Sequence, residues 1–298
     1  MTHSWHWHPG PPTPSSSSGD HRRHRPIGRL LRLIALIAAA IALVVTLTPA
    51  VSVGQPAQSA PAKPTIVLVH GAFADGSSWN DVIKRLQGDG YTVIAPANPL
   101  RDVAGDSQYV QSVLATIDGP VVLVGHSYGG AVISNAGNAP NVRALVYVAG
   151  FALDEGESLA SIGAQFPDNQ LGPAIVARPF PQPGGMTGTD LYVNPDQFRA
   201  VFAADVPAKQ TALMAATQRP LSLAAVVGPS GPPAWRTVPT WYLVARKDMT
   251  IDPDAERFMA QRAAATTVEI NSSHVAMVAH PNKVTDLIEA AATATATP

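Results

Sequence analysis

The chain has 298 residues, 46% of them apolar, and a formal net charge of −1. That length is enough for one large domain with a sizeable buried core. The absence of cysteine excludes disulfides, thiolate metal ligands, a cysteine nucleophile and a lipidated cysteine anchor.

The N-terminal 50 residues have the pattern of an export signal. Residues 1–26 are rich in His, Pro and Ser, a composition typical of a disordered leader. Five arginines then precede Leu33–Leu47, a run without charge, and Thr48-Pro49-Ala50 offers a small-residue cleavage site. We expect a secreted or cell-surface protein, with residues 1–50 serving as a cleaved signal peptide or an uncleaved membrane anchor.

The body of the chain is mildly acidic. Residues 1–50 carry five arginines and one aspartate, which leaves a net charge of −5 for residues 51–298. Without basic clusters we expect no nucleic-acid partner, and membrane contact only through the N-terminal segment. Residues 51–64 are rich in Pro, Ala, Gln and Ser and are predicted to be a linker to a domain over residues 65–298.

The first half of that domain alternates between strand and helix. Apolar, β-branched runs predict buried strands at Thr65–His70, Tyr91–Ala95, Val121–Val124 and Val142–Val148. Between them the sequence predicts a helix from Ser78 to Leu86, a helix capped by Asp106, and a helix over Ala131–Asn138. Strict alternation of this kind requires a parallel sheet with helices on both faces.

The third strand leads directly into a candidate nucleophile. Gly125-His126-Ser127-Tyr128-Gly129 fits G-x-S-x-G, in which a serine occupies a sharp, strained turn between strand and helix. Side chains at Gly125 and Gly129 would collide with the neighbouring strand and helix. The following helix directs its positive N-terminal end at Ser127, where an oxyanion would form.

The alternation stops after Phe151. Residues 154–235 contain many prolines and glycines, with helical patches at Asp196–Ala204 and Ala208–Ala216. An insertion at this point lies above the carboxyl ends of the strands, where a lid would cover a ligand. It is apolar and poor in charge, which favours an uncharged, modestly hydrophobic ligand.

Strand and helix resume at Thr240–Ala245, and acidic residues follow. Asp248 lies just beyond the carboxyl end of that strand, where a carboxylate can accept a histidine N–H. Asp252-Pro253-Asp254 reads as a helix N-cap and first turn, which favours a structural role. Asp154 and Glu155, after the preceding strand, are a further alternative location for the acid.

The last strand, Thr267–Ile270, leads to a candidate base. Of the four histidines in the predicted domain, His70 and His126 sit beside essential glycines at strand ends, where we expect packing or local hydrogen bonds. His280 precedes a proline at a helix start. Only His274 lies on a loop after the strand that carries the candidate acid.

With these motifs, residues from about Thr65 to Ala291 resemble the α/β-hydrolases, and in particular the branch of methylesterases, hydroxynitrile lyases and bacterial esterase-like proteins. The resemblance is carried by Val67–Phe73, by Gly125–Gly130 and by Ser273–Met277. It implies an α/β fold with a mostly parallel, about six-stranded sheet, helices on both faces and a lid insertion after the sixth-strand position. The order Ser127, Asp248, His274 is the order of the triad in that fold.

The resemblance implies a serine hydrolase of the carboxylesterase type that cleaves a small ester without metal or cofactor. Ser127, His274 and Asp248 would form the triad, and the amides of Ala72 and Tyr128 the oxyanion hole. The lyases carry a threonine and a lysine where this chain has Gly71 and Val275. These differences favour ester hydrolysis over cyanohydrin cleavage. The alternatives are a lyase or cofactor-free perhydrolase that uses the same triad, or a non-catalytic small-ligand receptor. No oligomeric state is predicted.

Overall fold

A computed structural model describes residues 63–296 of the chain. The predicted signal or anchor at residues 1–50, and residues 51–62 of the predicted linker, lie outside the described residues. In chain order, the strands are β1 (Thr65–Val69), β2 (Val93–Ile94), β3 (Val121–Ser127), β4 (Val142–Gly150), β5 (Ile175–Pro181), β6 (Thr187–Val193), β7 (Leu221–Ser222), β8 (Thr240–Ala245) and β9 (Thr266–Ile270).

Six of these strands form one parallel sheet in the order β2-β1-β3-β4-β8-β9. This confirms the predicted sheet. Every residue of β3 is buried, as expected for a central strand covered by helices on both faces. The register pairs Val69 of β1 with Gly125 of β3, and Gly125 with Tyr147 of β4. The loops that follow these strands therefore leave the sheet at one edge.

Eleven α-helices lie in the described part of the chain. They are α1 (Asn80–Gly88), α2 (Val103–Leu114), α3 (Tyr128–Ala136), α4 (Leu159–Gln165), α5 (Leu171–Ala174), α6 (Pro195–Phe202), α7 (Ala208–Thr217), α8 (Leu223–Val227), α9 (Pro253–Arg262), α10 (Ala276–Ala279) and α11 (Pro281–Ala294). Among the described residues, no helix is long and apolar enough to cross a membrane.

Two of the predicted helix caps are wrong. The segment Gly76–Trp79 before α1 is a 3₁₀ helix, and its cap is Asp75, which accepts a hydrogen bond from the Ser77 amide at 2.8 Å. The cap of α2 is Asp102. In both cases an aspartate a few residues upstream of the predicted cap accepts a hydrogen bond from one of the first free amides. The helical segment therefore begins earlier in the sequence than predicted.

The insertion between β4 and β8 contains a second sheet that sequence analysis missed. Strands β5, β6 and β7 form an antiparallel sheet in that order. The two predicted helical patches are present as α6 and α7. Phe198 and Phe202 of α6 are fully buried, so this part of the insertion packs on the core of the domain.

Candidate active site

Ser127 occupies the strained turn that the motif predicts. Its φ is 52° and its ψ is −123°, a backbone conformation that costs a residue with a side chain of order 1–3 kcal/mol. The flanking glycines make the turn possible. A Cβ at Gly125 would lie 2.6 Å from the carbonyl oxygen of Gly129, and one at Gly129 would lie 2.4 Å from the carbonyl oxygen of Val69. The turn therefore holds the serine in one orientation at the edge of the sheet.

Asp248 and His274 form a buried pair. Nδ1 of His274 lies 2.5 Å from Oδ2 of Asp248, and neither side chain is exposed to solvent. The second carboxylate oxygen of Asp248 accepts the amide hydrogens of Thr250 at 2.6 Å and Ile251 at 3.0 Å. These amides fix the carboxylate plane, so Asp248 can hold the His274 tautomer in which Nδ1 carries the proton and Nε2 can accept one.

The other candidate acids have structural roles. Asp252 accepts the Asp254 amide hydrogen at 2.8 Å and caps α9, as predicted. Asp254 pairs with Arg257 at 2.7 Å. Asp154 lies 2.5 Å from Arg236, which is also 3.6 Å from Glu155. Of the predicted acids, Asp248 alone meets the histidine.

Aromatic rings enclose His274. The ring centroid of His126 lies 4.6 Å away and that of Phe202 lies 5.0 Å away. His126 Nε2 is 3.1 Å from the carbonyl oxygen of His274, and because a carbonyl only accepts, Nε2 carries the proton. Burial, and secondly the proximity of His274, hold the pKa of His126 well below its usual range, so this ring is neutral.

This contact corrects one expectation. His70 does bond locally, to the Gly71 carbonyl at 2.9 Å and also to the Asn98 amide at 3.0 Å. His126, in contrast, bonds across the site to a residue 148 positions away. Through this bond the residue next to Ser127 positions the backbone of His274. Within residues 63–296, His274 Nε2 is buried without a hydrogen-bond partner.

The residues whose amides are predicted to bind an oxyanion line the same cavity as Ser127. Ala72, Ser127 and Tyr128 all line a cavity of about 220 Å³ that is closed by residues of the insertion, among them Leu159 and Leu171. Within the described residues, no protein group accepts the amide hydrogen of Ala72 or Tyr128. The remaining walls of the cavity are mostly apolar.

Two buried carboxyl groups near these residues make contacts that the sequence did not predict. Asp106 accepts a hydrogen bond from the Tyr128 phenol at 2.6 Å and ties α2 to the start of α3. Glu256 of α9 is fully buried and accepts the Ala245 amide hydrogen at 3.0 Å. Burial, and secondly the charge of Asp248, raise the pKa of Glu256 well above its usual range, which favours its protonated form.

Residues 66–287 match a family model described as the alpha/beta hydrolase family. A "Carbendazim hydrolyzing esterase" from a Nocardioides species is 34% identical over 110 residues, which cover 32% of this chain and 46% of that esterase. The match thus spans less than half of the esterase. A "Pyrethroid hydrolase" of Sphingobium wenxiniae is 25% identical over 243 residues, which cover 75% of this chain and 85% of that enzyme.

Solved structures show the same fold. The crystal structure of polyneuridine aldehyde esterase superimposes with a TM-score of 0.68 and 20% sequence identity. The superposition covers 77% of this chain and 99% of that structure.

Proposed function

This chain belongs to the α/β-hydrolase family, and we propose that it is a serine hydrolase that cleaves a small, largely uncharged carboxylic ester. The observation that carries the proposal is the buried Asp248–His274 pair, and it is joined by a serine with strained backbone that lines a mostly apolar cavity. The relatives named as an esterase and a pyrethroid hydrolase support the same reaction class.

In the proposed reaction, Ser127 Oγ attacks the ester carbonyl carbon while His274 Nε2 takes the hydroxyl proton. Asp248 stabilises the imidazolium that forms and remains ionised itself. The carbonyl oxygen becomes an oxyanion bound by the amides of Ala72 and Tyr128, each typically worth about 3 kcal/mol of the barrier. His274 then returns the proton to the alcohol oxygen as the C–O bond breaks.

Deacylation repeats these steps with water. His274 removes a proton from the water as it attacks the acyl carbon, and the second tetrahedral intermediate collapses to the acid and free Ser127. The unpartnered Nε2 of His274 is the atom required to accept a proton in both halves of the reaction. Hydrogen bonds to such a base commonly shorten only once substrate is bound.

The environment of Gly71 supports hydrolysis over cyanohydrin cleavage. A Cβ at this position would lie 2.7 Å from Ser127 Cβ and 2.8 Å from the His126 carbonyl oxygen, so this backbone leaves no room for a threonine. Val275, where the resembling lyases have a lysine, is fully buried and apolar. A departing cyanide would have no cation there.

The test uses purified full-length protein, phenyl acetate and a fluorophosphonate probe. We expect ester hydrolysis and labelling of Ser127, both lost in Ser127→Ala with a fall in kcat/KM of at least about 10⁴-fold. Ser112→Ala is the matched control, because within the described part of the chain the Ser112 hydroxyl bonds only to the Tyr109 carbonyl, on the exposed face of α2. Hydrolysis that survives in Ser127→Ala, or a wild-type protein that is neither labelled nor active, would refute the proposal.

We also propose that the protein is exported by its N-terminal segment. Support comes from the basic residues before the apolar run Leu33–Leu47. N-terminal sequencing of protein recovered from the culture medium and from membranes distinguishes a cleaved signal from an anchor. Full-length protein confined to the cytosol would overturn the proposal.

A further inference from the structure

A second, larger cavity lies beside the one that contains Ser127. Its volume is about 330 Å³. Its walls mix polar and apolar side chains. The polar ones are Asp75, Ser77, Ser78, Asn80, Asp81, Gln210 and Thr217, and the apolar ones include Leu213 and Met214 of α7 and Met277 and Val278 of α10. We call it the outer cavity, and we call the one at Ser127 the inner cavity.

Phe73 is a wall of both cavities. Only 4% of this residue is exposed, and its ring packs edge-on against Phe202 with 6.0 Å between centroids. It follows Ala72 directly, so it stands next to the proposed oxyanion hole. Its amide donates to the Arg219 carbonyl at 2.9 Å, which fixes the backbone.

The backbone of Phe73 has a strained conformation. Its φ is 58°, in the left-handed region where a side chain is strained and glycine is favoured. Phenylalanine at such a position costs stability, whereas glycine would not. Because Phe73 lines both cavities, it is placed where the two cavities adjoin.

The outer cavity lies on the side from which an alcohol would leave. His274 must deliver a proton to the alcohol oxygen, so the alcohol group extends towards the chain around His274. The helix α10 begins two residues after His274, and its Met277 and Val278 face the outer cavity. The inner cavity is walled instead by Phe151, at the end of β4, and by the insertion.

We infer that Phe73 determines specificity for the alcohol group: its ring limits the enzyme to esters of compact alcohols, and the outer cavity is the space that a longer alcohol would enter. This inference rests on the proposed esterase function. The substrate class is thus an ester with a modest acyl group in the inner cavity and an alcohol group no longer than about one ring.

The experiment compares two acetates that differ only in the length of the alcohol, phenyl acetate and biphenyl-4-yl acetate. For each variant the ratio of the two kcat/KM values is measured, so that enzyme amount and folded fraction cancel. Wild-type protein is expected to favour phenyl acetate. Phe73→Ala is expected to raise the biphenyl-to-phenyl ratio by about 10-fold or more, the range for a changed fit in an apolar pocket.

Two further variants test the geometry. Phe151→Ala removes the same number of atoms from the inner cavity alone and should alter the ratio for phenyl butyrate against phenyl acetate, but not the biphenyl ratio. Adding Met214→Trp to Phe73→Ala refills the outer cavity and should return the biphenyl ratio towards that of the wild type. Phe73→Leu should give an intermediate biphenyl-to-phenyl ratio. It replaces Phe73→Ala in the comparison if the alanine variant does not fold.

The outcomes separate the two proposals. An active wild type whose biphenyl ratio is unchanged in Phe73→Ala and Phe73→Leu, or is raised as much by Phe151→Ala, overturns the inference and leaves the esterase function standing. A wild type that hydrolyses neither acetate and is not labelled by the fluorophosphonate overturns the esterase function, and this inference with it.

Discussion

Asp205 connects the insertion to the loop that carries His274, and replacing it should weaken catalysis. The residue lies between α6 and α7. Its Oδ2 accepts the Ser273 amide hydrogen at 2.9 Å, and its Oδ1 accepts the Ser273 hydroxyl. His280 Nε2 lies 3.4 Å away. Because Ser273 directly precedes His274, Asp205→Ala removes a tether adjacent to the proposed base.

The size of the effect follows from these contacts. A hydrogen bond to a charged group contributes about 1.5–3 kcal/mol, and a buried donor left without a partner costs about 1–3 kcal/mol. The side chain of Asp205 is 29% exposed, so water can replace part of the loss. We expect Asp205→Ala to destabilise the protein by about 2–3 kcal/mol, which lowers Tm by roughly 5–10 °C in a domain of this size. Looser positioning of His274 should lower kcat about 10-fold.

The assay measures kcat and KM for phenyl acetate together with Tm. Asp205→Asn keeps one acceptor for the Ser273 amide and should recover part of kcat. Asp196→Ala, an exposed aspartate at the start of α6, is the matched control. A positioning role predicts that kcat falls more than KM changes.

The stability difference should also depend on pH. Burial raises the pKa of Asp205, but the hydrogen bonds from Ser273 outweigh it and hold that pKa below its usual value of 3.8. The folded protein therefore favours the ionised form, so the stabilisation is present above that usual value and is lost as pH falls through the lower folded pKa. The Tm gap between wild type and Asp205→Ala should be full at neutral pH and should narrow in strong acid. A kcat unchanged in Asp205→Ala, or a loss no larger than in Asp196→Ala, would refute the reasoning.

Two further predictions concern stability. Because the pKa of buried Glu256 is raised, the folded state holds a proton that the unfolded chain releases above its usual pKa of 4.5, so the stability of the wild type falls as pH rises. Between pH 5 and 8 the Tm of Glu256→Gln should therefore rise relative to that of the wild type. Curves of Tm against pH that run parallel for the two proteins would contradict this. Gly129→Ala places a Cβ 2.4 Å from the Val69 carbonyl oxygen and should cost at least about 2 kcal/mol, whereas Gly88→Ala in α1, with nothing within 4 Å, should gain about 0.4–1 kcal/mol. Equal Tm values for the two glycine variants would show that the turn tolerates a side chain.

The sheet, and the positions of the candidate triad residues beyond its strands, were predictable because both follow from local patterns. A buried parallel strand reads as an unbroken apolar run, as at Val121–Val124, and parallel strands deliver the ends of their loops to one edge of the sheet. Ser127, Asp248 and His274 each stand just beyond such a run. Topology predicts that they converge, without knowledge of side-chain contacts, and the structure shows the contact between Asp248 and His274.

The errors arose where the signal was weaker. Ser78 and Asp106 are acceptable caps by residue type, but other aspartates stand earlier in each segment and take that role. Strands β5 and β6 were not predicted, because most of their residues are half-buried or exposed and the alternation of apolar residues is weak. Pro179 and Pro181 in β5 also read as breaks, although an edge strand tolerates proline.

The surroundings of His274 could not be predicted, because they depend on contacts across long stretches of sequence. His126 bonds to its carbonyl, Phe202 packs on its ring, and Asp205 binds the residue before it. Thr250, beyond the candidate acid, donates its hydroxyl to the Val201 carbonyl at 2.8 Å. The end of α6 thus touches both loops that supply the Asp248–His274 pair. The insertion therefore helps to position both loops of the site. If it is exchanged for the lid of a relative, activity should be preserved only when the segment from 201 to 205 is retained.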